Sequence, residues 1–243
     1  MIVNGRIPDR SYPRYRRFRW FYRYLFREVD LILAQSELDR ERYLELGARR
    51  VEVVGNIKSY TDYTPTKFYR FEKPVVVVAS THRGEELPIL KQIDYNRFQV
   101  VVAPRHPERF EEVAQLMERF ADSRGLKWRR LGGEGEQPFA DLYLVDRLGE
   151  LINLYSIADR VILGGSFIPG IGGHNPMEIA HFGKPLIIGP YADHQRELLK
   201  LVEGVVETPI EAAGEVVNAD SLPSTTILNR VDLDRVWELI KIG

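Results

Sequence analysis

The residues best placed to do chemistry sit in Gly-Gly-Ser-Phe-Ile-Pro-Gly-Ile-Gly-Gly-His-Asn-Pro-Met-Glu, residues 164–178. Five glycines between Gly164 and Gly173 would let backbone amides approach a bound group and point together, and a following helix adds its positive end. A phosphate is the natural guest. Pro176 suits a first helical turn, where its missing N–H costs nothing. Glu178, within that turn, could accept two hydrogen bonds from a ribose diol. The same run also reads as a flexible loop, with Asn175 as an N-cap and Glu178 favouring the helix dipole. It is not a Walker loop, and the G-x-G-x-x-G spacing is missing.

Other turns offer complementary groups. In Pro104-Arg-His-Pro107, Arg105 between two prolines could make a bidentate contact with a phosphate or carboxylate, or stand on an ordinary surface turn. Gly149-Glu150-Leu151 opens a helix whose amides could address a base or phosphate, or simply begins that helix. Ser80-Thr-His-Arg83 supplies hydroxyls and a cation; His82 there reads as a base or as a plain polar contact, and His174 is the more telling histidine. Gly189-Pro-Tyr-Ala-Asp-His-Gln195 closes another strand. Lys58, in Gly55-Asn-Ile-Lys58, could neutralise a leaving phosphate at an interdomain crease, or be a surface lysine.

Positioning these groups requires a βα alternation. The β-branched run 75–79 predicts a strand covered on both faces, followed by strands at 98–103, 126–131, 142–145, 160–163 and 185–188 with helices between them. Five or six such strands imply a doubly wound parallel α/β sheet, whose strand-end loops form one ligand-binding edge. Upstream, the spacing predicts a helix through Phe18, Phe21, Tyr22, Leu25 and Phe26, a strand at 30–34, a helix from Ser36 to Gly47 and a strand at 51–54. Residues 61–74 read as a linker.

Composition narrows the partners. The chain has 243 residues, 44% of them hydrophobic, a formal net charge of −1 and no cysteine. Disulfides, cysteine-ligated metals and bulk polyanion binding are thereby disfavoured. No apolar stretch approaches the ~18 residues of a membrane span, so a soluble or peripheral protein is expected. Residues 6–27 nevertheless hold eight arginines and one acid, Asp9. With aromatic residues interleaved, that segment could lie on anionic lipid or pack as a solvated helix. Nucleic acid is not expected, because no RNA-recognition or OB pattern accompanies it.

Taken in order, Asn4-Gly-Arg, Ala34-Gln-Ser-Glu37, Leu46-Gly-Ala48, Gly55-Asn-Ile-Lys58, Ser80-Thr-His-Arg-Gly-Glu-Glu86, Pro104-Arg-His-Pro-Glu-Arg-Phe110, Gly149-Glu-Leu151 and Gly172-Gly-His-Asn-Pro-Met-Glu178 make the chain resemble 3-deoxy-D-manno-octulosonic acid (Kdo) transferases over almost its whole length. The resemblance implies a GT-B fold of two Rossmann-like domains. It implies CMP-Kdo as donor, a lipid A precursor as acceptor, an inverting reaction in lipopolysaccharide assembly, and no metal or other cofactor. It places Pro104, Arg105, Gly149, Glu150, Leu151, Asn175, Pro176, Met177 and Glu178 at the donor, with Ser80, Arg83, Gly172, Gly173 and His174 as additional contacts. Lys58 would stabilise transition-state charge. A peripheral location on the cytoplasmic face of the inner membrane follows, with residues 6–27 against its anionic surface.

In that family an acceptor domain carrying a glutamate general base precedes the Asn-Gly-Arg segment, whereas here Met1 falls almost directly before it. Residues 1–73 are therefore expected to be the tail of an acceptor domain plus linker, and 74–243 the donor domain. No acid in 1–73 matches the family's base. Weak or no transferase activity is expected of this chain alone, as a fragment or as half of a split enzyme. The alternatives are a GT-B enzyme for another nucleotide sugar and a non-catalytic nucleotide-binding module.

Overall fold

A computed structural model describes residues 1–60 and 63–242, without the side chains of Lys58 and Ile242. The chain forms two compact units, residues 1–62 with 228–243, and residues 63–227. The sequence boundary expected at 73/74 thus falls inside the second unit, and the C-terminal residues belong to the first.

In the first unit, Ile2–Gly5, Ile32–Ala34 and Val51–Val53 form a parallel sheet with Ile32–Ala34 in the centre. Successive side chains on a strand point to opposite faces. Accordingly Ile32 and Ala34 pack with Ile7, Phe26, Tyr43 and Leu46, while Leu31 and Leu33 pack with Val54, Val236 and Leu239. The helix Glu37–Glu45 starts as expected: the Ser36 hydroxyl accepts the Asp39 amide at 3.2 Å. The second face is covered by the helix Leu233–Ile242, which the sequence reading had not separated from the donor domain. Its approach explains Gly55. A Cβ on Gly55 would lie 2.4 Å from the carbonyl oxygen of Arg230, and its φ is +85°. Asn56 N–H donates to the Asn229 carbonyl at 2.8 Å, and Val231 N–H to the Ser59 hydroxyl at 2.8 Å. The Gly55–Lys58 motif is therefore a docking point for the returning chain. The backbone of Lys58 lies in the 3-10 turn Ile57–Ser59, and its side chain lies outside the described residues.

The second unit holds seven parallel strands in the order Val205–Glu207, Leu186–Ile188, Arg160–Leu163, Val75–Thr81, Gln99–Pro104, Leu142–Leu144, Trp128–Arg130. This is the expected Rossmann-like doubly wound sheet, with one strand, Val205–Glu207, beyond those read from the sequence. Val76, Val78, Val100 and Val102 face the helix Phe110–Arg124; Val75, Val77, Ala79 and Val101 face the helix Leu151–Ile157. Strand order reverses between Val75–Thr81 and Arg160–Leu163, so the loops after these two strands flank the switch point where ligands of such sheets bind. Residues 63–74 are packed structure. Tyr69–Arg70 pairs with Gly135–Glu136, and the amides of Thr66 and Lys67 donate to Asn153 Oδ1 at 2.8 and 3.1 Å. Among the described residues, no helix is long and apolar enough to cross a membrane.

Truncating Leu239, buried at 3% exposure against Leu31, Leu33 and Val54, leaves a cavity under the first sheet. Leu239→Ala is expected to cost about 3 kcal/mol. Hydrogen exchange should show the amides of Ile32–Ala34 losing protection; unchanged protection there would contradict this packing.

Candidate functional site

The site begins with a backbone irregularity. Between Ala79 and Thr81 the pairing with Gln99–Pro104 slips, and Ser80 adopts φ +52°, the left-handed region that few non-glycine residues enter. The buried Tyr155 phenol lies beneath Ser80; burial and the nearby Glu178 carboxylate push its pKa well above the ordinary value while Ser80 opposes the shift. Ser80, Ala103, Pro104, Arg105, Arg147 and residues 148–152 line a cavity of about 150 Å³ at the strand ends. Leu148, 67% exposed, stands at its lip. Three separate sequence motifs therefore share one concavity.

Its charges are sorted. The Arg147 guanidinium donates to Glu150, to the Leu131 and Gly132 carbonyls and to the Tyr69 hydroxyl. Arg109 is buried against Glu86 at 2.7 Å and also donates to the Thr81 carbonyl. Arg83, expected as a donor contact, instead forks onto Glu112 at 3.0 and 2.6 Å. Arg105 is different. Its amide donates to the Thr81 carbonyl at 3.1 Å, but among the described residues no hydrogen bond or ion pair occupies its exposed guanidinium. Its charge is felt by Glu178, whose carboxyl burial pushes up while Asn175 and Arg105 pull it down.

The Glu150 side chain is engaged within the protein. Lys67 Nζ, Tyr69 Oη, Asn153 Nδ2 and Arg147 Nε reach its carboxylate at 2.5, 2.7, 2.9 and 2.9 Å. Burial opposes ionisation, yet these four donors hold the carboxyl down at about 2. Glu150 thus fastens the 66–70 segment and Arg147 to the start of the helix Leu151–Ile157, and lends the cavity its rigid wall.

The glycine run departs from the open phosphate cradle. A Cβ on Gly164 would meet Glu85 Oε2 at 2.7 Å, one on Gly165 the His174 ring at 2.8 Å, and one on Gly172 the His194 ring at 2.2 Å. Gly173 would press on Ala192 at 3.1 Å, whereas Gly170 faces open space. The amides of Gly165 and Phe167 donate to Glu85, that of Gly173 to the Gly165 carbonyl, and that of Met177 to Asn175 Oδ1. Most of these glycines therefore serve close packing. Pro176 precedes a short helix, Met177–His181. His174 Nε2 lies 3.0 Å from His82 Nε2. Among the described residues, no group of three His, Cys, Asp or Glu side chains is arranged to hold a metal ion.

The residues that sequence reasoning left unassigned are Glu85, Arg147 and Tyr155. A carboxylate directly after a strand-end glycine was the one available signal for Glu85. Nothing local marks Tyr155, whose role comes from burial beneath Ser80.

The Glu150 network has a defined pH signature. Its carboxyl lies near 4.5 when free and about 2 when folded. The unfolded chain therefore binds the extra proton, and the stabilisation, about 3 kcal/mol, is complete above pH 4.5 and lost as pH falls toward 2. Glu150→Gln should melt well below wild type at pH 7, and the gap should narrow on acidification. A gap that does not vary with pH would rule out ionic fastening.

A family model described as 3-deoxy-D-manno-octulosonic-acid transferase (kdotransferase) matches residues 1–61. A bifunctional glycosyltransferase/methyltransferase of Fusobacterium nucleatum is 31% identical over 90% of this chain and 36% of its own length. A 3-deoxy-D-manno-octulosonic acid transferase of Chlamydophila psittaci is 31% identical over 99% of this chain and 61% of its own. For the enzyme of that name from Haemophilus influenzae the figures are 31%, 85% and 52%. The chain thus spans between about a third and three fifths of these relatives. Among solved structures, the C-terminal CMP-Kdo binding domain of WaaA from Acinetobacter baumannii matches with a TM-score of 0.51 and 27% identity, over 60% of this chain and 78% of that one. By these likenesses and by its Rossmann-like sheet, the chain belongs to the 3-deoxy-D-manno-octulosonic acid transferase family.

Proposed function

We propose that residues 63–227 bind CMP-Kdo and that the chain serves in transfer of Kdo to a lipid A precursor during lipopolysaccharide assembly. The observation that carries this reading is the strand-end cavity, which gathers Pro104, Arg105, Gly149, Glu150 and Leu151 beside an unengaged guanidinium. The likeness to a solved CMP-Kdo binding domain supports it. Apolar walls with few directed polar groups suit a nucleoside. The Gly149–Leu151 backbone would frame the base, Glu178 would accept from the ribose diol, and Arg105 would meet the phosphate.

In the reaction, an acceptor hydroxyl attacks the anomeric carbon as its bond to the CMP phosphate oxygen breaks, inverting the configuration. The bonding pair leaves with the phosphate, where Arg105 offsets the growing charge. Lys58 shares that task by family resemblance. The hydroxyl proton passes to a carboxylate base on the acceptor side. Asn175 accepts the Met177 amide at 3.0 Å, donates to the Tyr63 hydroxyl at 3.3 Å and lowers the Glu178 carboxyl pKa, so Asn175, Pro176 and Met177 act by placing that carboxylate. Ser80 lines the cavity, Gly172, Gly173 and His174 belong to the glycine-rich loop expected to reach the donor, and Arg83 remains with Glu112.

The first unit also presents a surface suited to anionic lipid. Helices Tyr12–Arg17 and Arg19–Arg27 carry Arg14, Arg16, Arg17, Arg19, Arg23 and Arg27, while Trp20 and Tyr24 are 75% and 73% exposed. Such a face fits peripheral docking on the cytoplasmic side of the inner membrane.

Calorimetry with CMP, UMP and UDP tests the donor assignment. CMP should bind and UDP should not; binding confined to UDP would sink the Kdo reading. Arg105→Ala and Glu178→Ala should each weaken CMP by about tenfold with little change in melting temperature. For the membrane face, cosedimentation with phosphatidylglycerol vesicles should exceed that with phosphatidylcholine and fall in Trp20→Glu/Tyr24→Glu. Equal sedimentation with both lipids would remove the proposed electrostatic attraction.

A further inference from the structure

The glycine-rich loop after Arg160–Leu163 is held at both ends. At its start, Glu85 accepts the amides of Gly165 and Phe167 at 2.8 and 3.1 Å, together with that of His82 at 2.9 Å. At its end, His174 meets His82 through one contact, Nε2 to Nε2 at 3.0 Å. The two rings lie 15° from parallel with centroids 5.2 Å apart. The centroids are thus farther apart than the nitrogens, which sets both nitrogens between nearly coplanar rings, in line for a hydrogen bond. Gly173 N–H closes the base of the loop on the Gly165 carbonyl at 2.8 Å.

Two imidazoles can join through Nε2 only when one nitrogen carries a proton and the other presents a lone pair. The groups around the pair disfavour added charge. His82 faces His106, Arg105 and Arg109, with Glu86 acting in the opposite sense and Glu85 engaged by its amide. His174 faces His82, Arg105 and His106. Burial pushes both histidines down, His174 to about 4. Near neutral pH both rings are therefore uncharged, and their contact demands opposite tautomers.

We infer that His82 is a positioning residue for the nucleotide site: its single hydrogen bond fixes the tautomer and orientation of His174, and so the placement of Asn175 and Glu178. Asn175 follows His174 directly, accepts the Met177 amide at 3.0 Å and donates to the Tyr63 hydroxyl at 3.3 Å, and it lies beside Glu178, whose carboxyl pKa it lowers. A shift of His174 is consequently carried into the carboxylate assigned to the ribose. This inference rests on the reading that residues 63–227 bind CMP.

The test uses the full chain, ¹⁵N-labelled at histidine, at pH 7.5. Wild type should show one of the two rings as the Nε2–H tautomer and the other as Nδ1–H. His82→Gln, whose amide can still donate to or accept from His174, should keep CMP affinity within about threefold, whereas His82→Phe should weaken it by about tenfold. Identical tautomers in the wild type, full affinity in His82→Phe, or equal losses in both variants would each overturn the inference. Should His82→Phe not fold, the wild-type tautomers and the affinity of His82→Gln decide. If wild type binds no CMP, the donor reading fails by itself. The positioning role is then decided by hydrogen exchange at the Met177 amide: faster in His82→Phe than in His82→Gln if His82 holds the loop, and equal if it does not.

Discussion

One buried carboxylate, that of Glu85, accepts the amides of His82, Gly165 and Phe167, and so ties together the loops leaving the two strands that flank the switch in strand order. Glu85 is 0% exposed, and burying an ionised carboxyl is costly unless donors surround it. Here burial pushes its pKa up and the three amides oppose the shift. The dependence is mutual, since without the carboxylate those amides would lack partners at a place that water reaches poorly. Gly164 follows from the same bond: Glu85 Oε2 lies where its Cβ would be.

That bond alters the meaning of the glycine run. Glycines before a helix suggest amides free for an anion, yet several of those amides are engaged within the protein, and the space beside Gly165 and Gly172 is filled by His174 and His194. In the proposed reading, recognition of a negative group falls instead to Arg105. Arg83, Arg109 and Arg147 all lie near this edge, but each is neutralised by a glutamate, Glu112, Glu86 and Glu150 in turn. Among the described residues at this edge, pairing Arg83, Arg109 and Arg147 leaves the Arg105 guanidinium without an ion pair, which suits the anion contact proposed for it.

Legibility in the sequence followed the range of the forces involved. The run 75–79 could be read because β-branched residues on both faces mark a strand buried on both sides, and Arg160–Leu163 was bounded correctly by its flanking polar residues. Val205–Glu207 was missed because only three half-buried or exposed residues form it. The helix Leu233–Ile242 carries a clear apolar face, but which unit that face covers is a long-range matter settled by Leu31, Leu33 and Val54. Residues 63–74, read from the sequence as part of a linker, are packed for a similar reason. Their polar composition hides Tyr69, which is buried beside Glu150. Pro104, Arg105, Gly149, Glu150 and Leu151, which line one cavity, stand out in the sequence because they end or follow predicted strands. Whether a side chain faces the cavity or fastens its wall is decided by neighbours distant in sequence, as Lys67 and Tyr69 show for Glu150.

The strain at Ser80 completes the logic of the edge. A left-handed serine costs free energy that the surroundings must offset. The bulge it makes brings Ser80 to the Tyr155 phenol, which needs a partner because it is fully buried. Tyr155 in turn lies close enough to Glu178 for the carboxylate to raise its pKa, while Arg105 acts on both in the opposite sense. Among the described residues, Arg105 thus lines the cavity with an unpaired guanidinium, and its charge reaches the partly buried Glu178 carboxylate. The CMP proposed for this site would meet such a pair with hydroxyl donors and an anionic group on one small scaffold. On that proposal, the strained backbone and the paired arginines would preorganise the complement before any ligand arrives.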